Sequence, residues 1–295
     1  MTTRPDRVPA DEIRQRMLDA GRELALEAGA ALTIEHLRLE EVIQRARVPR
    51  SSAYRLWPYK DDYINDLLCY LAGPGSWFSE RPVVTPETTT EIRQIVEENR
   101  ALLATLAGRR ALLCEIVRVT TERNYRMLSQ SPQWRLHIAL VATLGSTSGA
   151  DGGAADSAAR RRVASALEEA QTCSRQAMVT MLEIIMAELG LRLRDPSWTV
   201  EHLQLAGGLF VQGLALRNVQ VQAALGGDGD ASAWPAADPA GISPAAHVSA
   251  LLDAPVPGPG LHGGTAQWTL VAFAYLALID AWTELDPDFV PAPSR

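Results

Sequence analysis

The 295-residue chain predicts an all-α fold, with a small N-terminal three-helix domain followed by a larger helical domain. Two observations lead to this. Apolar residues recur every three or four positions through nearly every segment, with breaks at Gly, Pro and Ser clusters and no alternating strand pattern. Charge is also segregated: residues 1–60 hold 11 basic against 9 acidic side chains, so the remaining 235 residues carry −9 of the net −7. With 47% hydrophobic and 21% charged residues, the composition is that of a folded globular chain.

The first predicted helix runs from Asp11 to Ala28. Ile13, Met17, Leu18, Ala20, Leu24, Ala25 and Ala28 lie at helical spacing, and Gly29 is placed to stop it. Leu39–Ala46 reads as a short second helix, broken at Arg47-Val48-Pro49. A third follows from Arg50 to Trp57 and ends at Pro58. Asp61 and Asp62 supply the acidic start of a fourth helix, whose apolar face is Ile64, Leu67, Leu68 and Leu71. The Gly- and Pro-rich stretch from Gly73 to Pro86 marks a boundary between domains 1–72 and 73–295. Beyond it, helices are expected over Glu87–Ala107, Arg109–Leu128, Trp134–Leu144, Ala154–Leu193, Trp198–Leu225 and Gly264–Leu285. Residues 226–263, crowded with Gly, Ala, Pro and Asp, read as a flexible loop.

Several function classes find no support. No apolar run of about 18 residues appears, and Met1–Asp11 is polar, so a cytoplasmic protein without membrane contact is expected. Cys69, Cys114 and Cys173 each sit inside an apolar helical pattern, and no disulfide framework is expected. The five histidines show no metal-ligand spacing, and no cofactor motif stands out. Without a phosphate loop, nucleophile elbow or Cys-His arrangement, an enzyme is not expected.

The informative stretch is Val42–Asp62. Between Ile43 and Lys60 it carries five positive charges, Arg45, Arg47, Arg50, Arg55 and Lys60, and no acid. Two short helices joined by a tight turn, the second rich in Arg and Ser, meet what a DNA major groove requires: a slim helix with donors for phosphates and base edges. Arg45 and Arg55 are charge-compatible with backbone contact, and Arg4 and Arg7 with an N-terminal arm.

The same block resembles the helix-turn-helix of the TetR family of transcriptional regulators, whose members read roughly Ile-Ala-x-x-Ala-Gly-Val-Ser-x-x-x-x-Tyr-x-x-Phe-x-x-Lys-x-x-Leu. Val42 takes the Ile place, Ala46 the Ala, Val48 the Val, Tyr54 the Tyr, Trp57 the Phe and Lys60 the Lys, without a gap. Lys60 is the only lysine in the chain. The resemblance implies that Arg50, Ser51 and Ser52 face base edges, that Tyr54 and Lys60 hold phosphates, and that Trp57 plugs the small core. The chain departs from the pattern at Arg47, where the family has Gly, at Pro49 in place of Ser, at Ile43 in place of Ala and at Tyr63 in place of Leu. A non-Gly residue in a left-handed turn costs roughly 1 kcal/mol.

The resemblance covers residues 11–70. It further implies a homodimer on a near-palindromic operator, and a C-terminal body that binds an unidentified small-molecule effector, most often to relieve repression. The late helices Trp198–Leu225 and Gly264–Leu285 are the candidates for pairing across a two-fold axis, being apolar nearly all round. Tyr125, Trp134, Met178 and Met181 are the candidates for lining an effector pocket. The alternative is a ligand-binding or scaffold protein of the same fold that has lost operator binding, with Arg47 and Pro49 as the motivating substitutions.

Overall fold

The computed structural model describes residues 9–28, 37–73, 84–146, 154–226, 248, 250–252 and 254–291. The stop expected at Gly29, the arm at Arg4 and Arg7, most of the boundary between Gly73 and Pro86, and most of the loop 226–263 lie outside the described residues.

The described chain is predominantly helical, as its periodicity predicts. The helices are α1 (Ala10–Ala28), α2 (Leu39–Ala46), α3 (Arg50–Leu56), α4 (Lys60–Ala72), α5 (Pro86–Glu98), α6 (Leu106–Gln130), α7 (Pro132–Ser146), α8 (Ala154–Leu189), α9 (Val200–Gly226) and α10 (Leu270–Trp282). The expected helix Glu87–Ala107 is interrupted at Asn99, whose Nδ2 donates to the Ile95 carbonyl at 2.9 Å, and a 3₁₀ turn, Arg100–Ala104, follows. Asparagine breaks helices in this way by offering the backbone a local side-chain partner.

Four short strands among the described residues correct the expectation of helix alone. Gly190, at φ 62°, ends α8 before the expected Leu193, and β1 (Leu191–Leu193) pairs antiparallel with β4 (Thr283–Leu285). The expected helix Gly264–Leu285 is instead β3 (Thr265–Trp268), α10 and β4. Thr269 caps α10, its hydroxyl accepting from the Ala272 N–H at 3.2 Å. Strand β2 (Val256–Pro259) falls inside the stretch expected to be a flexible loop. It pairs with β3, and the buried Trp268 indole donates to the Pro259 carbonyl at 3.1 Å.

The chain divides into two compact units, and the division does not follow the linear boundary at residue 72. One unit combines Met1–Pro82 with Ser131–Cys173; the other combines Val83–Gln130 with Ser174–Arg295. The reason is packing. Leu140 of α7 joins the core made by α1 to α4, with Leu136 against it, while Val163 and Leu167 of α8 pack on Ala72 at the end of α4.

In the first unit, Ile13, Met17, Leu18 and Leu24 of α1 meet Val42 and Ile43 of α2, Ala53 of α3, and Tyr63, Ile64, Leu67 and Leu71 of α4. Trp57 sits in this core, edge-on to Tyr63 with ring centroids 5.3 Å apart, and its indole N–H donates to Asp66 at 2.8 Å. His137 on α7 is buried in the same unit, and burial pushes its pKa down to about 4, so the ring is neutral at physiological pH.

In the second unit α6 is packed by α9, α10 and α5. Helix α9 buries Leu203, Gly207, Val211 and Ala215, a stripe stepping by four. Gly207 lies against the Tyr275 ring of α10, where a Cβ would stand 2.6 Å from the ring edge. The opposite side of α9 carries Leu205 and Leu209, 51% and 63% exposed, and Gly213, which has no described residue within 4 Å of its Cβ position.

Candidate nucleic-acid interface

The turn between α2 and α3 is where the sequence departs most from the pattern it resembles, and its geometry is regular. Arg47 adopts the left-handed conformation, φ 53° and ψ 43°, with its N–H bonded to the Gln44 carbonyl at 3.2 Å. The Val48 N–H reaches back to the Ile43 carbonyl at 3.4 Å. These are the two bonds of a Schellman helix end, and its usual apolar contact is present too, because Ile43 and Val48 are both buried in the core. Arginine therefore occupies a position suited to glycine, held there by two hydrogen bonds and the Val48 anchor. Arg47→Gly is expected to raise the unfolding free energy by about 1 kcal/mol, readable in urea denaturation; an unchanged or lowered midpoint would show that the arginine carries no strain.

Pro49 is the residue before α3, with φ −63° and ψ 130°, and caps nothing with its side chain. Its carbonyl accepts from the Ser52 and Ala53 N–H groups at 2.9 and 3.2 Å. Fixed at its natural φ, proline gives α3 a defined start without a hydroxyl cap.

Helix α3 buries Ala53, and Trp57 follows it into the core, which leaves the remaining faces outward. Arg50, Ser51 and Arg55 are exposed, while Ser52 and Tyr54 are half-buried. Arg50 and Tyr54, one turn apart, stack with the guanidinium carbon 5.5 Å from the ring centroid. Lys60 is the exposed first residue of α4. The structure thus brings Arg50, Ser51, Tyr54 and Arg55 onto one short helix that starts at a rigid turn.

Arg45 is placed differently. Its guanidinium grips Glu27 of α1 with two bonds of 2.6 and 2.7 Å, and Glu23 lies 3.6 Å away. The Glu27 hydrogen bond raises the pKa of Arg45 and lowers that of Glu27, so the pair is fully ionised and braces α2 against α1. Arg50 is also met by an acid. Glu40, on the first turn of α2, accepts from the Tyr54 hydroxyl at 2.8 Å and pairs with Arg50 at 3.4 Å. The Tyr54 hydrogen bond holds the Glu40 carboxyl below the usual carboxylate range.

Arg45 and Arg50 of the basic run are thus answered by acids from elsewhere in the fold. Arg47 and Arg55 form no ion pair with any described residue. Sequence reasoning passed over two groups on this surface. Arg47 entered it as one of the five charges and as a departure from glycine, with no contact assigned to it, and Tyr59, 73% exposed beside Lys60, went unremarked. An aromatic next to the lone lysine at a helix entry was the available signal for the second.

The residues expected to line an effector pocket are not gathered in one unit. Trp134 is fully buried in the first, capped into α7 where Ser131 accepts from its N–H at 3.1 Å. Tyr125 and Met181 are buried in the second, and Met178 is half-buried there. A cleft of about 410 Å³ in the second unit is lined instead by Arg110, Leu113, Leu191, Arg194, Glu284 and their neighbours. Asp280 forms a two-pronged ion pair with Arg110 at its wall. Among the described residues no cluster of His, Cys, Asp or Glu is placed to hold a metal, and no helix is long and apolar enough to cross a membrane.

Comparison with protein-family models, curated proteins and solved structures gives no match to this chain.

Proposed function

We propose that this protein is a DNA-binding transcriptional regulator of the TetR type, acting as a homodimer and releasing or taking up its operator in response to a small molecule. The observation that carries the reading is the α2–turn–α3 unit: a short helix entered through a rigid turn, displaying Arg50, Ser51, Tyr54 and Arg55 outward, with Arg47 and Lys60 exposed at its two ends. A helix of this kind fits a major groove, and its side chains supply the donors that phosphates and base edges accept.

Support for a homodimer comes from α9 and α10. Beyond Leu205 and Leu209 of α9, Leu270 and Phe273 of α10 are each 37% exposed, Phe273 meeting Trp268 edge-on, so among the described residues two adjacent helices of one unit leave apolar side chains partly uncovered. A second copy related by a two-fold axis covers such a face with itself, and it sets two α3 helices at a fixed separation for a near-palindromic site. An effector acts by binding one dimer geometry better than the other, since a ligand shifts a population only through differential affinity. Function in this scheme is binding, not catalysis.

The test is selection of random duplex DNA on the purified protein at two salt concentrations, beside a Tyr54→Ala/Lys60→Ala double variant. The expected result is a palindromic consensus, steep loss of affinity with salt and loss of binding in the variant. A folded dimer that enriches no sequence at either salt would overturn the reading in favour of a ligand-binding scaffold. A monomer at micromolar concentration would overturn the dimer.

A further inference from the structure

Resting on the regulator reading, we propose that Glu40 is an internal stand-in for a DNA phosphate, occupying Tyr54 and Arg50 in the free protein and holding it off duplex DNA until a phosphate displaces it. A single oxygen, Glu40 Oε1, accepts from the Tyr54 hydroxyl at 2.8 Å and lies 3.4 Å from Arg50 Nη2. A phosphate oxygen would use these same two donors. Arg50 in turn lies over the Tyr54 ring, so guanidinium, phenol and carboxylate form one closed cluster bridging the first turn of α2 and α3.

All three groups are solvent-accessible, with Glu40 and Arg50 side chains 57% and 69% exposed, so the carboxylate can swing away without opening the core. Duplex DNA meets a cost before it gains a contact: the Glu40 pair must break, and the freed carboxylate then stands near the phosphates. The cost falls on every duplex, matched or not. Only a site that adds base contacts outweighs it. Glu40 thus lowers occupancy of non-specific DNA, the electrostatic part of binding that depends on available positive charge.

The neighbouring Glu41 supplies the control, because it is exposed on the same helix and takes no part in the Tyr54–Arg50 cluster. Wild type, Glu40→Gln and Glu41→Gln, each checked for an unchanged melting temperature, are titrated with a short duplex of random sequence from about 50 to about 200 mM salt. Glu40→Gln is expected to bind roughly tenfold more tightly at the low end, because Tyr54 and Arg50 then reach a phosphate without first breaking an ion pair. Glu41→Gln removes the same charge from the same helix and should tighten binding far less. Equal effects of the two substitutions, or no effect of Glu40→Gln, would overturn the proposal while leaving the regulator reading intact. Absence of binding by wild type and both variants would instead remove the regulator reading, and this inference with it.

Discussion

Gly21→Ala is expected to destabilise the N-terminal unit by about 3 kcal/mol, at the upper end for overpacking a core. Gly21 is buried in the middle of α1, where alanine would ordinarily improve helix formation. Here its added Cβ would stand 2.0 Å from the Tyr63 hydroxyl and about 3 Å from the Leu67 side chain. The hydroxyl has no easy retreat, since it donates to the Met17 carbonyl at 3.0 Å and its ring packs edge-on against Trp57. Burial drives the Tyr63 pKa upward, as expected of a phenol enclosed in apolar surroundings. This contact also accounts for one departure from the TetR-type pattern: tyrosine in place of leucine at position 63 is accommodated by glycine at position 21. Urea denaturation of Gly21→Ala, Tyr63→Leu and the double variant tests it. The double variant should be clearly more stable than the summed single losses imply. Additive losses would show that the two positions are not coupled.

Arg109→Met is expected to cost about 3 kcal/mol or more in the second unit, because methionine fills much of the space yet leaves backbone carbonyls without their donor. Arg109 is 3% exposed. Its Nη1 donates to the Leu189 carbonyl at the end of α8 at 3.0 Å, its Nη2 donates to the Asp286 carbonyl at 2.7 Å, and the guanidinium lies over the Phe289 ring at 4.9 Å. A cation at a helix C-terminus is favourable, and this one also fastens the segment after β4 to the point where α8 ends. Gly190 completes the lock, with Phe289 filling the space a Cβ would need. Arg109→Lys should recover only part of the loss, since an ammonium cannot span both carbonyls as the planar fork does. Denaturant unfolding followed by tryptophan emission reads the effect. Wild-type stability in Arg109→Met would show that these carbonyls are satisfied without the arginine.

The helices of the first unit were legible in the chain because each is specified locally. Ile13, Met17 and Leu24 repeat at the helical period, Arg47-Val48-Pro49 breaks it, and Pro58 closes α3. The outward placement of Arg50, Ser51 and Arg55 follows from that same periodicity once Ala53 and Trp57 are assigned inward. What the basic run could not reveal is its own neutralisation. Arg45 meets Glu27 from 18 residues away and Tyr54 meets Glu40 from 14, and no window along the chain contains such a pairing until α1, α2 and α3 pack.

The same limit applies to the second unit. Strands β1 and β4 are three residues each and meet across some 90 positions, joined by Arg192 and Glu284 side chains as well as the ladder, so neither carries a readable alternation of its own. For α9 the sequence by itself determined a helix apolar nearly all round. Only the tertiary structure decided which side is core, because burial depends on what stands opposite: Leu203 and Val211 face the packed helices α6 and α10, and Leu205 and Leu209 face outward.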